Sequence, residues 1–168
     1  MQTHSHNLFF DCDGVILDSN QIKTKAFRES LKNEKKEYVD LFIDYHKKNQ
    51  GINRFEKLNY FFTEIKKSFI QQDYHDALDK YSSMCIMNLK NSELVNGVKI
   101  FLENANKLNY HCYVISGSEQ NELRDVLKYK KLDRYFKGIY GSPSTKIENI
   151  NIVLNDKPTK KNNFYFGD

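Results

Sequence analysis

The chain has 168 residues, 39% of them hydrophobic and 29% charged, which suits one modest domain or a small core carrying a subdomain. Its formal net charge is +4, with lysines scattered among asparagines and acids instead of gathered in a block, and this argues against nucleic acid as a partner. No apolar run approaches the ~20 residues of a membrane span, the opening MQTHSHN lacks the apolar segment of a signal peptide, and Cys12, Cys85 and Cys112 stand at no metal-like spacing. A cytoplasmic protein that meets neither membrane nor nucleic acid is expected.

The apolar run Leu8-Phe9-Phe10, followed by Asp11-Cys12-Asp13-Gly14, predicts a buried parallel strand whose carboxyl end delivers two acids into a crevice. Strand alternation puts Asp11 and Asp13 on one side and turns Cys12 away, so the two carboxylates can share a hard cation such as Mg2+. Such a pair can divide the labour of phosphoryl transfer, one acid attacking phosphorus and the other serving as acid and base. A calcium loop of the EF-hand kind is excluded, because Ile16 stands where that loop needs glycine. Gly14 lets the backbone turn, and Asp18 and Ser19 read as caps of a helix near Gln21 to Lys32.

From Glu37 to Asn91 the pattern is helical, with Gly51 as the evident break and no proline. Tyr38, Leu41 or Phe42, and Tyr45 form one stripe; Phe55, Leu58, Phe62, Ile65 and Phe69 a second; Leu78, Tyr81, Cys85 and Leu89 a third. A small bundle of three or four helices is predicted. Leu94 to Val98 returns the chain to the core, and a helix bearing Val98, Phe101, Leu102, Ala105 and Leu108 should pack on the sheet.

Tyr110 to Ser116 is the second predicted strand, ended by the turn Ser116-Gly117-Ser118, whose hydroxyl and open N–H groups before a helix from Glu119 make an anion site. After that helix, Ile139 and Tyr140 lead into a short third strand and the turn Gly141-Ser142-Pro143-Ser144-Thr145-Lys146, which opens a helix running to Leu154. A basic loop, Lys157 to Asn163, precedes a last apolar run ending in Phe166-Gly167-Asp168.

The string DCDGVILDS after an apolar strand resembles the first motif of the haloacid dehalogenase superfamily. The resemblance implies that Asp11 is the nucleophile and that Asp13 is the acid/base, giving its backbone carbonyl to Mg2+. Dehalogenases of the family lack the second acid, so its presence points to phosphate esters. The helical insert resembles the cap of the phosphoglycolate phosphatase and beta-phosphoglucomutase branch, and Gln50-Gly51-Ile52-Asn53-Arg54 resembles its cap loop, with Arg54 reaching the substrate. Ser116 and Gly117 correspond to the phosphate-binding second motif, Lys146 to the lysine of the third, and Asp168 to the first Mg2+ ligand of the fourth. That fourth motif normally continues into a second acid, a strand and a helix. The sequence stops at Asp168, so a core cut short and a weakened metal site are expected.

The resemblance thus implies an α/β fold, a Rossmann-like parallel-sheet core formed by residues 1–18 and 92–168 with an all-helical cap inserted at 19–91. It implies a Mg2+-dependent phosphatase acting on a small phosphorylated metabolite, such as a sugar phosphate, through an aspartyl-phosphate. A phosphosugar mutase of the same branch, and a catalytically impaired module that binds a ligand or partner, are the alternatives.

Overall fold

The computed structural model describes residues 6–156 and 162–167. Contacts divide the chain into two compact units, Met1–Ser19 with Ser92–Asp168, and Asn20–Asn91.

In the first unit the described strands form one sheet. It is built from β1 (Asn7–Phe10), β2 (His111–Glu119), β3 (Gly138–Ser142) and β4 (Asn163–Phe166), all pairing parallel in the order β3-β2-β1-β4. The sheet grows from β1 first to one side, through β2 and β3, and then to the other, through β4. The crevice at such a reversal, beyond the carboxyl ends of the strands, is where open α/β sheets place their chemistry. All four residues of β1 are buried, as a strand covered on both faces requires.

The two faces can be followed ring by ring. Phe9, Tyr113, Ile115 and Tyr140 point to one side, where Ile150, Val153 and Leu154 of a helix cover them. Phe10 points to the other, stacked on Phe166 at 4.8 Å and edge-on to Phe101 and Phe136. Each fully buried phenylalanine contributes on the order of 1.5–3 kcal/mol relative to an exposed one, so these opposed clusters fix the register of β1. A one-residue slip would exchange them.

The second unit is helical. Here α1 (Asn20–Ser30), α2 (Lys36–Lys48), α3 (Arg54–Tyr60) and α4 (Gln71–Asn91) bury Phe27, Phe42, Leu58, Tyr81 and Cys85. The expected second stripe departs from a uniform helix, because α3 runs into a π-helical turn, Phe61–Ile65, in which Lys66 N–H bonds to the Phe61 carbonyl at 2.8 Å. The extra residue per turn lets Phe61 and Phe62, adjacent in sequence, both be buried. Phe69, placed in that stripe by periodicity, is instead exposed, as is Leu41, while Phe42 takes the buried position. Asn53 caps α3 by accepting from Glu56 N–H.

The remaining helices belong to the first unit: α5 (Val98–Lys107), α6 (Gln120–Tyr129) and α7 (Lys146–Asp156). Gly97 enters α5 with φ of 83°, a conformation that disfavours any side chain. Leu102 and Ala105 of α5 are buried, whereas Leu108 is exposed. Among the described residues no helix is long and apolar enough to cross a membrane.

Candidate active site

The carboxyl ends of β1 and β2 and the start of α7 bring the polar side chains of the first unit together. Asp11 N–H still bonds to the Phe166 carbonyl at 2.9 Å, so this residue extends the β1 ladder by one step. The ladder then stops. Cys12 donates its N–H to Asp11 Oδ1 at 2.7 Å, its carbonyl accepts from both Ile16 and Leu17, and Gly14 turns the chain with φ of 74°. Asp13 is therefore carried by a tight turn, not by the strand alternation expected from sequence. Gly14 makes that turn affordable sterically, because only glycine visits this region at little cost.

Asp11 is buried, with its side chain 12% exposed, and its second oxygen accepts from the ammonium of Lys146. Burial pushes the Asp11 carboxyl up; the hydrogen bond and charge of Lys146 pull it back, and the nearby charge of Asp13 pushes it up again. For Lys146 burial works downward, but the hydrogen bond and charge of Asp11 outweigh it and hold the ammonium above its ordinary range. The net result is a carboxyl held above its ordinary range, with burial the largest cause and Lys146 relieving part of it.

Lys146 is delivered by a well-defined helix start. Thr145 and Glu148 form a reciprocal cap: Thr145 N–H donates to Glu148 Oε2 at 2.7 Å and Glu148 N–H to Thr145 Oγ1 at 3.2 Å. The Thr145 N–H, and the Thr145 hydroxyl that donates to the same Oε2 at 3.0 Å, hold the Glu148 carboxyl below its usual value.

Asp13 is held by two serines. Ser19, wholly buried, donates to Oδ1 at 2.5 Å, and Ser118 donates to Oδ2 at 3.3 Å. Ser116 in turn donates its hydroxyl to Ser118 Oγ at 3.1 Å and accepts from Ser118 N–H at 3.1 Å. A line of hydroxyls thus runs from Ser116 through Ser118 to Asp13. The expected turn at Ser116-Gly117-Ser118 is in fact the end of β2, which continues to Glu119 with a register shift between Ile115 and Glu119. The shift is what frees these three residues from simple ladder pairing.

Of the residues singled out from sequence, Asp11 is bonded to Lys146, and Asp13 is tied through Ser118 to Ser116, with Gly117 in the strand between the two serines. Asp168 lies outside the described residues. Arg54 belongs to the helical unit, where it is 6% exposed, donates to Ser82 Oγ at 2.5 Å and lies 4.8 Å over the Tyr81 ring. Beside it Lys57 is 2% exposed, with its ammonium 3.0 Å from His46 Nδ1. An ammonium can only donate, so His46 Nδ1 accepts and the ring proton sits on Nε2, facing Thr24 Oγ1 at 3.2 Å.

Sequence reading missed Ser19 and Ser118 as partners of Asp13, and Tyr165, whose hydroxyl lies 3.3 Å from Lys146 Nζ. Ser118 had a signal, being two residues from Ser116 on a strand and so on its side. Ser19 has the composition of a helix cap, and its hydroxyl is directed to Asp13 instead. Tyr165 had no signal beyond its place in an apolar strand.

The described residues contain no group of three or more metal-ligating side chains. The two acids nevertheless suit a hard divalent cation: both are oxygen donors, and the charge of Asp13 adds to the cost of ionising Asp11, a repulsion that a cation such as Mg2+ relieves.

The haloacid dehalogenase-like hydrolase family model matches residues 8–168. Among solved structures, a predicted phosphoglycolate phosphatase of Haemophilus somnus is similar at 16% identity and TM-score 0.74, with 100% of this chain and 79% of that one covered. CbbY of Rhodobacter sphaeroides in complex with phosphate is similar at 13% identity and TM-score 0.72, with 96% and 76% covered. YfnB of Bacillus subtilis bound to magnesium is similar at 19% identity and TM-score 0.70, with 98% and 80% covered. No protein of curated function matches the chain. At these identities the solved structures speak for the α/β fold. The family match, spanning both the Asp11–Asp13 turn and the Lys146 helix, carries the assignment: the chain belongs to the haloacid dehalogenase-like hydrolases.

Proposed function

We propose that this hydrolase is a Mg2+-dependent phosphatase of small phosphorylated metabolites that works through an aspartyl-phosphate on Asp11. The observation that carries the reading is the hydrogen-bonded pair of Asp11 and Lys146, set beside an Asp13 that is tied through Ser118 to Ser116. An anionic nucleophile, a cation for phosphoryl oxygens and a positioned acid/base are what phosphoryl transfer asks of a protein. Support from the family name extends to hydrolysis, and the similar folds include a predicted phosphoglycolate phosphatase and CbbY with bound phosphate.

In the first step an Asp11 oxygen forms a bond to phosphorus, the ester P–O bond breaks, and Asp13 gives its proton to the leaving oxygen. In the second, water forms a bond to phosphorus, the Asp11–phosphorus bond breaks, and Asp13 takes the water's proton. Lys146 and the Ser116 hydroxyl hold phosphoryl oxygens. Bound Mg2+, held by Asp11 and Asp13 with Asp168 as a third ligand, would supply charge neutralisation for two anions meeting.

The hydroxyl geometry bears on the second step. Asp13 accepts from both serines, and an oxygen that accepts on each side is a carboxylate ready to act as base. To carry a proton it must release one of them, and the longer bond, from Ser118, is the weaker.

The test is hydrolysis of an aryl phosphate with Mg2+ and with EDTA, together with intact-mass analysis of Asp13→Asn after exposure to substrate. Metal-dependent turnover and a phosphoryl adduct on Asp11 are expected. Turnover by Asp11→Asn at the native rate would eliminate the covalent route.

A further inference from the structure

The loop that delivers Lys146 is fastened on its inner side by one amide. Asn149 is 2% exposed, and its Nδ2 donates to the Gly141 carbonyl at 3.1 Å and to the Ser144 carbonyl at 3.4 Å. A carboxamide nitrogen carries two protons, so both bonds can be made at once. The two carbonyls stand at either end of Ser142-Pro143. Pro143 has no N–H to offer, and the buried Ser142 hydroxyl has no partner among the described residues. Within this loop Asn149 is therefore the polar side chain on the inner side that ties its two ends together.

One end of the bridge is anchored firmly. A Cβ at Gly141 would meet the Ser118 carbonyl at 2.4 Å and Gln120 Cα at 2.9 Å, so the backbone there is pressed against the end of β2, beside the Ser116–Ser118 hydroxyl line. The other end is the first turn of α7, in which Lys146 and Asn149 are three residues apart and share a face. A single buried amide thus spans from the β2–β3 junction to the turn that carries the ammonium bonded to Asp11.

We propose that Asn149 is a positioning residue for Lys146, setting the angle at which the ammonium meets Asp11 and, on the reading of the site as a phosphatase, the phosphoryl oxygens. The outer cap of Thr145 and Glu148 starts the helix on its solvent-exposed side, and Ile150, Val153 and Leu154 seat the helix on the sheet, but neither reaches the inner carbonyls of the loop. Asn149 does, and so ties the loop to the turn that carries Lys146. Lost positioning costs rate more than binding, because the misplaced group is needed most where charge develops.

The experiment combines two readouts on Asn149→Leu, which keeps the volume and removes both donors. Amine acetylation mapped by mass spectrometry reads Lys146 without reference to any reaction; in the wild type its 24% exposed, Asp11-paired amine should be slow. In Asn149→Leu it should label at the rate of the exposed lysines, and kcat on an aryl phosphate should fall ~10- to 100-fold with KM changed much less. Unchanged labelling in a folded Asn149→Leu overturns the proposal. If that variant does not fold, Asn149→Ser, with one donor left, takes its place: partial exposure of Lys146 supports the idea and full protection overturns it. A wild type without phosphatase activity would sink the functional reading alone, and the labelling would still decide the role of Asn149.

Discussion

Tyr165 and Lys146 meet at 3.3 Å, phenol oxygen to ammonium, and this ammonium is the one that donates to Asp11. Register explains the meeting: Tyr165 pairs with Phe9 on the next strand, so it faces the side of the sheet that α7 covers, although the residue is 46% exposed. A hydrogen bond of this kind contributes roughly 0.5–1.5 kcal/mol. Tyr165→Phe should therefore lower kcat/KM about two- to tenfold and leave the fold intact. Loss beyond a hundredfold would mean that the phenol acts in the chemistry itself.

The two aspartates should fail differently. Asp11→Asn removes the proposed nucleophile and should abolish phosphate release, while the protein stays folded because the amide is cheaper to bury than the carboxylate. Asp13→Asn leaves one oxygen where two accepted from serines, but Ser19 can turn to the Leu17 carbonyl at 3.3 Å and a serine hydroxyl can accept from the new amide, so the cost in stability should be ~1 kcal/mol. Its activity should fall ~10²- to 10⁴-fold. Thermal melts and steady-state rates measured side by side check both; a destabilised Asp11→Asn with an unaffected Asp13→Asn would reverse the assignment.

Much of this was legible in the chain itself, for identifiable reasons. An apolar strand that ends in Asp11-Cys12-Asp13-Gly14, and a helix that opens on Lys146 after Gly and Pro, are local patterns, and the structure keeps both. The β2 boundary was misjudged because Ser116-Gly117-Ser118 has turn composition, whereas pairing across a register shift holds it in the sheet. The helical unit hid the most. Arg54, expected from the cap-loop resemblance to reach the substrate, and Lys57, which no pattern singles out, are both buried, resting on Tyr81, Ser82 and His46, residues 11 to 28 positions away in sequence. Nothing in a one-dimensional pattern marks a cation whose partner lies on another helix.

Cys112 offers a prediction about pH. It is wholly buried in β2, and burial pushes its thiol up from 9.0 to about 11. Between those values the unfolded chain has lost its proton and the folded one has kept it, so the unfolded state binds fewer protons and stability falls as pH rises. The contribution is whole below pH 9.0 and declines toward about 11. The melting temperature of the wild type should drop more steeply over that window than that of Cys112→Ala, whatever the baseline cost of the smaller side chain. Parallel slopes would show that the thiol does not titrate there. All three cysteines are buried, so at neutral pH none should react with a thiol reagent until the protein is denatured.

The final prediction concerns magnesium and needs no turnover. Asp13 raises the cost of ionising Asp11, and Lys146 relieves only part of it, because burial remains the largest influence on that carboxyl. A divalent cation shared by the two acids would relieve the rest, and a ligand that binds only the folded state at ~100 times its Kd adds about 2.7 kcal/mol to stability. For a chain of this length that is a rise of roughly 5–10 °C in melting temperature. Magnesium chloride should therefore stabilise the wild type well beyond sodium chloride of equal ionic strength. Asp11→Asn should lose most of the shift, and Asp13→Asn a smaller part of it, since the Asp13 backbone carbonyl that the family resemblance gives to Mg2+ survives the change. Lys146→Met should instead enlarge it, because the cation then replaces the ammonium as the counter-charge of Asp11. A shift that persists undiminished in the variant carrying both asparagines would locate the metal elsewhere in the molecule.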